Sequence, residues 1–155
     1  MADRHLIDVH ILLVDNGKLL LSRRRDTNPT FDGHWHLPSG KLDAGESVLH
    51  AAAREAQEEI GVLINPNDLN HVHTLHVNGS GGEPRLGLFF LATHWTGEPV
   101  NREPDKCSAI AWFPLHNLPT NLIDYPAAGI HAYLTGQTFA IHGWPTSRTP
   151  ANMLG

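Results

Sequence analysis

The chain has 155 residues, 41% of them hydrophobic, which is enough for one packed core and too little for a multidomain machine. Only 17% are charged, and 11 Lys+Arg against 16 Asp+Glu leave a formal net charge of −5. A general nucleic-acid binder needs a basic footprint, so no nucleic-acid polymer is expected as a partner.

The first five residues, Met1 to His5, carry an acid, and Asp8 and His10 interrupt the apolar run behind them. This lacks the form of a signal peptide. No other stretch approaches the roughly 20 apolar residues needed to cross a bilayer. The single cysteine, Cys107, excludes a disulfide-stapled fold. Together these features predict a soluble, cytoplasmic protein without membrane contact, and one domain spanning residues 1–155.

In chain order, the β-branched run His5 to Val14 is followed by Asp15-Asn16-Gly17 and then Lys18 to Ser22, which predicts a hairpin. Residues 23–33 are polar and aperiodic and read as an exposed loop. Trp35–Leu37 reads as a short strand before Pro38-Ser39-Gly40. Residues Ser47 to Ile60 are rich in helix formers, and Gly61 sits where a helix stops. Val48, Ala52, Ala56 and Ile60 recur every four residues, so one side packs on a sheet and the other is left to carboxylates. Leu69–Val77 and Arg85–Trp95 form a second strand pair joined by Gly79-Ser80-Gly81-Gly82. Ser108–Phe113 is another strand, and Pro126–Thr135 a helix ended by Gly136 and weakened by Gly129. The tail over residues 143–155 reads as irregular.

The chemistry concentrates between Gly40 and Val62. On a helix at ~100° per residue, Glu55, Glu58 and Glu59 share one face, and like charges at that spacing destabilise the helix. A hard divalent cation removes the conflict. Mg²⁺ takes oxygen ligands, keeps several waters and bridges to substrate phosphates.

This segment resembles the Nudix signature, Gly-x5-Glu-x7-Arg-Glu-U-x-Glu-Glu-x-Gly-U with U a bulky aliphatic residue. Gly40, Glu46, Arg54, Glu55, Glu58, Glu59, Gly61 and Val62 match, and the one departure among nine specified positions is Ala56. That change alters packing volume and leaves the carboxylates in place. The resemblance implies an α/β (α+β) fold, the Nudix αβα sandwich with a mixed central β-sheet. It also implies hydrolysis of a nucleoside diphosphate linked to another group, using Mg²⁺, with Mn²⁺ as a substitute. Glu58 and Glu59 would be principal metal ligands, joined by the Ser39 carbonyl. Glu55 would be a further ligand or the group that deprotonates water; which carboxylate is the base stays open. Arg54 would pair with a neighbouring glutamate, and Glu46 would support the loop. Lys41 and the run Arg23-Arg24-Arg25, Arg24 above all, suit phosphate contacts by charge and by the fork geometry of arginine.

Two markers of Nudix subgroups, a proline for ADP-ribose enzymes and a tyrosine for dinucleoside polyphosphate enzymes, are missing from the window at Val77, Asn78, Gly79 and Ser80. The similarity is therefore to the MutT-like group, which hydrolyses nucleoside triphosphates to monophosphate and pyrophosphate. In that group a loop glutamate reaches the metal, and Glu103 is the matching position. An asparagine after a Leu-Pro segment reads the base edge, a place held here by Asn121, which equally suits an ordinary turn. Phe31 and Trp95 are candidates for base stacking or for the core. The twelve histidines lack the acidic or cysteine partners of a zinc site and read as polar strand residues. Another nucleoside diphosphate derivative, or a non-catalytic nucleotide-binding module, are the rival functions. The oligomeric state is not readable from the sequence.

Overall fold

A computed structural model describes residues 1–79 and 83–145 of the chain. The first strand, β1 (Leu6–Asp15), turns at Asn16-Gly17 into β2 (Lys18–Arg24). Both turn residues have positive φ, 51° and 74°, as a two-residue hairpin turn that follows the strand twist requires. Two short strands follow, β3 (Trp35–His36) and β4 (Ser39–Lys41), and then helix α1 (Val48–Ile60). A 3₁₀ turn, Pro66–Asp68, leads to β5 (Asn70–Asn78), β6 (Pro84–Ala92) and β7 (Cys107–Pro114). Helix α2 (Asp124–Thr135) and β8 (Phe139–His142) complete the described part.

The strands form one mixed sheet in the order β3-β2-β1-β6-β5-β8, with β4 added to β1 and β7 to β2. β1 is central. It runs parallel to β6 from Leu6↔Arg85 to Leu13↔Ala92 and antiparallel to β4 at Asp8↔Lys41 and His10↔Ser39. Residues Asp8 to Leu13 are all buried, as expected of a strand covered on both faces. Val9, Ile11 and Leu13 point to a core shared with Ala51, Ala52, Ala56 and Ile60 of α1. Leu12 points to the opposite core, with Phe89 and Ile130 of α2. By strand alternation Asp8 and His10 join Leu12 on the α2 side. The arrangement is the expected αβα sandwich.

Several boundaries differ from the sequence reading. Ser47 caps α1 instead of opening it, its Oγ accepting from the His50 N–H at 3.2 Å. The helix expected from Pro126 starts at Asp124, and β6 stops at Ala92. Gly129 lets α2 lie directly on the sheet, since a Cβ there would overlap the Phe89 ring. β4 and β8 went unforeseen: three or four residues carry too little periodicity to mark a strand. Residues 80–82 and 146–155 lie outside the described part, and with them most of the glycine connection and of the tail expected to be irregular. Among the described residues no helix is long and apolar enough to cross a membrane.

Candidate active site

α1 presents its acidic face to β4 and to the loop between them, and Arg54 holds the three together. Its Nε and Nη2 donate to the two Glu46 oxygens at 3.0 and 2.6 Å. Its Nη1 reaches Glu55 Oε1 at 2.9 Å and Glu58 Oε2 at 3.2 Å, and Nη2 reaches the Lys41 carbonyl at 3.3 Å. Glu46 also accepts from the Asp43 N–H at 2.9 Å, so it closes the loop. The guanidinium and this N–H hold the Glu46 carboxyl down to about 2.

β4 supplies the other wall. The Ser39 N–H donates to Glu59 Oε2 at 3.0 Å. A Cβ at Gly40 would overlap the Glu55 carboxylate, so only glycine lets the helix carboxylates lie against the strand. Burial, with the Glu55 charge beside it, pushes Glu59 up to about 9. Burial also raises Glu55, against the lowering effect of Arg54. Two carboxylates pressed together away from water and unable to ionise freely form a donor set that a hard cation would satisfy.

A cleft of about 460 Å³ opens beside Glu59, lined also by Ser39, Glu103, Arg24, Arg25 and Lys106. A larger cleft of about 1140 Å³ joins it at Arg24, His36 and Ser39 and contains Gly40, Lys41, Phe31 and Asn121. Of the residues singled out in the sequence, Ser39 and Arg24 stand at this junction, and Glu59 and Glu103 line the smaller cleft with them. Neither Glu55 nor Glu58 lines either cleft: the Glu55 carboxylate lies against Gly40, the Glu58 side chain is 53% exposed, and both are tied to Arg54. Among the described residues no group of three or more Asp, Glu, His or Cys side chains is gathered closely enough to hold a metal ion by itself. Arg24 lies over the Phe31 ring at 5.0 Å and donates to Asp26 at 2.9 Å. Asn121 donates to the Gly33 carbonyl at 3.2 Å, which anchors the loop of the larger cleft. Trp95 stacks on Trp112 against the α1 core, away from both clefts.

The sequence reading did not single out Arg25 and Lys106 as partners in one cleft, since 81 residues part them and Arg25 reads as an exposed loop charge. His36 was passed over among the strand histidines, yet burial lowers it to about 4 and it stands between the clefts.

Residues 4–133 match the family model of the NUDIX domain. The chain belongs to the Nudix family. It is 34% identical over 92 residues to the human 8-oxo-dGDP phosphatase, a match covering 58% of this chain and 27% of that protein. It is 30% identical over 103 residues to the 8-oxo-dGTP diphosphatase of Haemophilus influenzae, covering 65% of this chain and 73% of the relative. Among solved structures, the MutT NUDIX hydrolase of Burkholderia pseudomallei superposes with a TM-score of 0.74 at 29% identity, over 83% of this chain and 98% of that one. The matched stretch spans only 23–27% of the longer curated relatives from Caenorhabditis elegans, mouse and human.

Proposed function

We propose that this Nudix chain is a Mg²⁺-dependent nucleoside triphosphate pyrophosphohydrolase of the cytoplasm, acting on (d)NTPs including oxidised ones such as 8-oxo-dGTP. The observation that carries the reading is the pair Glu55 and Glu59, packed against Gly40 and Ser39, with Glu59 and Ser39 lining a cleft that also holds Arg24, Arg25 and Lys106. The two relatives named for 8-oxo-dGDP and 8-oxo-dGTP support the choice of substrate class.

In this reading Ser39, by its carbonyl, and Glu55, Glu58, Glu59 and Glu103 hold the metal. All are hard oxygen donors, as Mg²⁺ or Mn²⁺ requires, and an open set suits an ion that shares its coordination with water and substrate phosphates. When bound, the ion neutralises charge developing on the phosphates and acidifies water. Arg54 fixes the rotamers of Glu55 and Glu58, and one of those carboxylates takes the proton of the attacking water. That water adds across the anhydride between the α- and β-phosphorus, so nucleoside monophosphate and pyrophosphate leave. Arg24 and Lys41 bind the phosphate chain, and Asn121 faces the nucleoside.

The test is a release assay over (d)NTPs, 8-oxo-dGTP, 8-oxo-dGDP, ADP-ribose and NADH with Mg²⁺ or Mn²⁺. Pyrophosphate from triphosphates, lost in Glu58→Gln and Glu59→Gln, is the expected outcome. Turnover unaffected by both substitutions would refute the site. Turnover confined to ADP-ribose or NADH would refute the substrate class.

A further inference from the structure

Glu103, Lys106 and Cys107 line the smaller cleft from residues 101–107, a segment that its own hydrogen bonds close into a turn. Asn101 Nδ2 donates to the Cys107 carbonyl at 2.7 Å, and Asn101 Oδ1 accepts from the Glu103 N–H at 3.1 Å. The Lys106 and Cys107 N–H groups both return to the Glu103 carbonyl, at 2.9 and 2.8 Å. Arg25, just past the end of β2, ties itself to this turn: its N–H donates to the Lys106 carbonyl at 2.8 Å and its Nε to the Pro104 carbonyl at 2.8 Å. Two cations distant in sequence are thereby fixed in one cleft with Ser39, Glu59 and Glu103.

Among the described residues neither Arg25 nor Lys106 pairs with a carboxylate, whereas Arg24, at the junction with the larger cleft, is held by Asp26 at 2.9 Å. The bond from Nε to Pro104 leaves Nη1 and Nη2 of Arg25, the outer fork of the guanidinium, for a ligand.

The two clefts differ in what they can hold. Phe31 and Tyr125 line the larger one, and aromatic rings suit a nucleobase. In the smaller one only His36 carries a ring, and His36 belongs to both. A nucleotide cleaved between its α- and β-phosphorus beside Ser39 and Glu59 extends to both sides, nucleoside one way and remaining phosphates the other. With the base in the larger cleft, the phosphate end enters the smaller one, where a guanidinium fork and an ammonium match phosphate oxygens.

We infer that Arg25 and Lys106 are specificity-determining residues that take the terminal phosphate, so that the smaller cleft selects nucleoside triphosphates over diphosphates. This rests on the proposed nucleotide substrate but not on its hydrolysis. A diphosphate stops short of the two cations. A triphosphate reaches one phosphate further and gains a charged hydrogen bond from each.

The experiment measures, by calorimetry in Mg²⁺, the binding of the α,β-imido analogues of dGTP and dGDP, which resist cleavage at the proposed bond. The parent chain should bind the triphosphate analogue at least about 10-fold more tightly than the diphosphate analogue. Lys106→Met keeps an unbranched side chain and removes the charge. It should weaken the triphosphate analogue about 5- to 10-fold, the worth of one exposed charged hydrogen bond, and leave the diphosphate analogue within about twofold of the parent. Arg25→Met should act in the same direction, and Lys106→Arg should keep the parent's preference. Lys106→Met should melt as the parent does, because the Lys106 side chain is exposed and only its backbone closes the turn. If Arg25→Met melts lower through loss of the Pro104 bond, Lys106→Met decides alone.

Equal affinity of the parent chain for the two analogues overturns the inference. So does parent-like affinity of Lys106→Met for the triphosphate analogue, an equal loss for both analogues in that variant, or a parent chain that binds neither. A triphosphate preference that depends on Lys106 in a chain that does not hydrolyse dGTP refutes the proposed reaction and leaves this inference standing.

Discussion

The Glu55/Glu59 pair should make the metal-free protein lose stability as pH rises, and Glu59→Gln should flatten the effect. Glu59 stands at about 9 in the fold against an ordinary value of 4.5. Between those values the folded chain holds a proton that the unfolded chain has released, so stability falls with rising pH and the contribution is gone above about 9. One proton corresponds to a slope of at most ~1.4 kcal/mol per pH unit. At ~2–4 °C per kcal/mol for a chain of this size, the melting temperature should drop by up to ~3–6 °C per pH unit. The window of pH 7 to 9 isolates the pair from His10 and His36. His10 and His36 are lowered to about 3 and about 4, so their contribution is present above their ordinary 6.5 and is lost only as pH falls.

The assay is a thermal melt in chelator at pH 7, 8 and 9, repeated with excess Mg²⁺. Binding to ionised carboxylates displaces the proton, so the Mg²⁺-induced rise in melting temperature should grow with pH, accompanied by proton release. Glu59→Gln, which is neutral at every pH, should give a flatter profile and a smaller rise. A parent chain whose melt in chelator is level or climbs between pH 7 and 9, parallel to Glu59→Gln, refutes the argument.

Two further substitutions probe the same wall. Gly40→Ala puts a methyl group where the Glu55 carboxylate lies; to give way, Glu55 must leave Arg54. Losing that charged hydrogen bond costs ~1.5–3 kcal/mol, and the displaced carboxylate should lower turnover about 100-fold, so parent-like pyrophosphate release from this variant would refute the packing argument. Arg54→Ala leaves Glu55, only 13% exposed, without its cation, and should lower the melting temperature by ~5–10 °C. Arg54→Lys should recover little of it, because an ammonium cannot fork to Glu46 and Glu55 together; full recovery in the melt would show that charge alone sufficed.

What the sequence made legible is what local spacing encodes. Glu55, Glu58 and Glu59 share a helix face by arithmetic, and Asn16-Gly17 specifies its own turn. The larger cleft is different in kind. Its floor joins Asp8 to Arg85 and Tyr125 across 77 and 117 residues, and no local pattern announces such a pairing. His10 showed in the sequence only as an interruption of an apolar run, because its packing depends on Phe89 and Tyr125 lying on the same side of β1. Gly40 falls between the two cases: its place in the signature was plain, but its reason, the Glu55 carboxylate packed where a Cβ would be, needs β4 paired to β1.

Charge shows how the two levels join. Residues 40–62 hold five acids against two bases, and four of those acids, Asp43, Glu46, Glu55 and Glu58, lie within 3.4 Å of the one Arg54 guanidinium. Glu59 stands outside that cluster, half-buried and held by the Ser39 N–H. The helix therefore neutralises its acidic face unevenly: Arg54 satisfies the loop side, and the unmet demand for positive charge falls on the Glu59 side, facing the cleft with Glu103. A face compensated evenly would have been an ordinary solvated helix surface. Under the proposed function, this asymmetry is what would direct a cation to Glu59, and a phosphate chain to the junction where Arg24 stands.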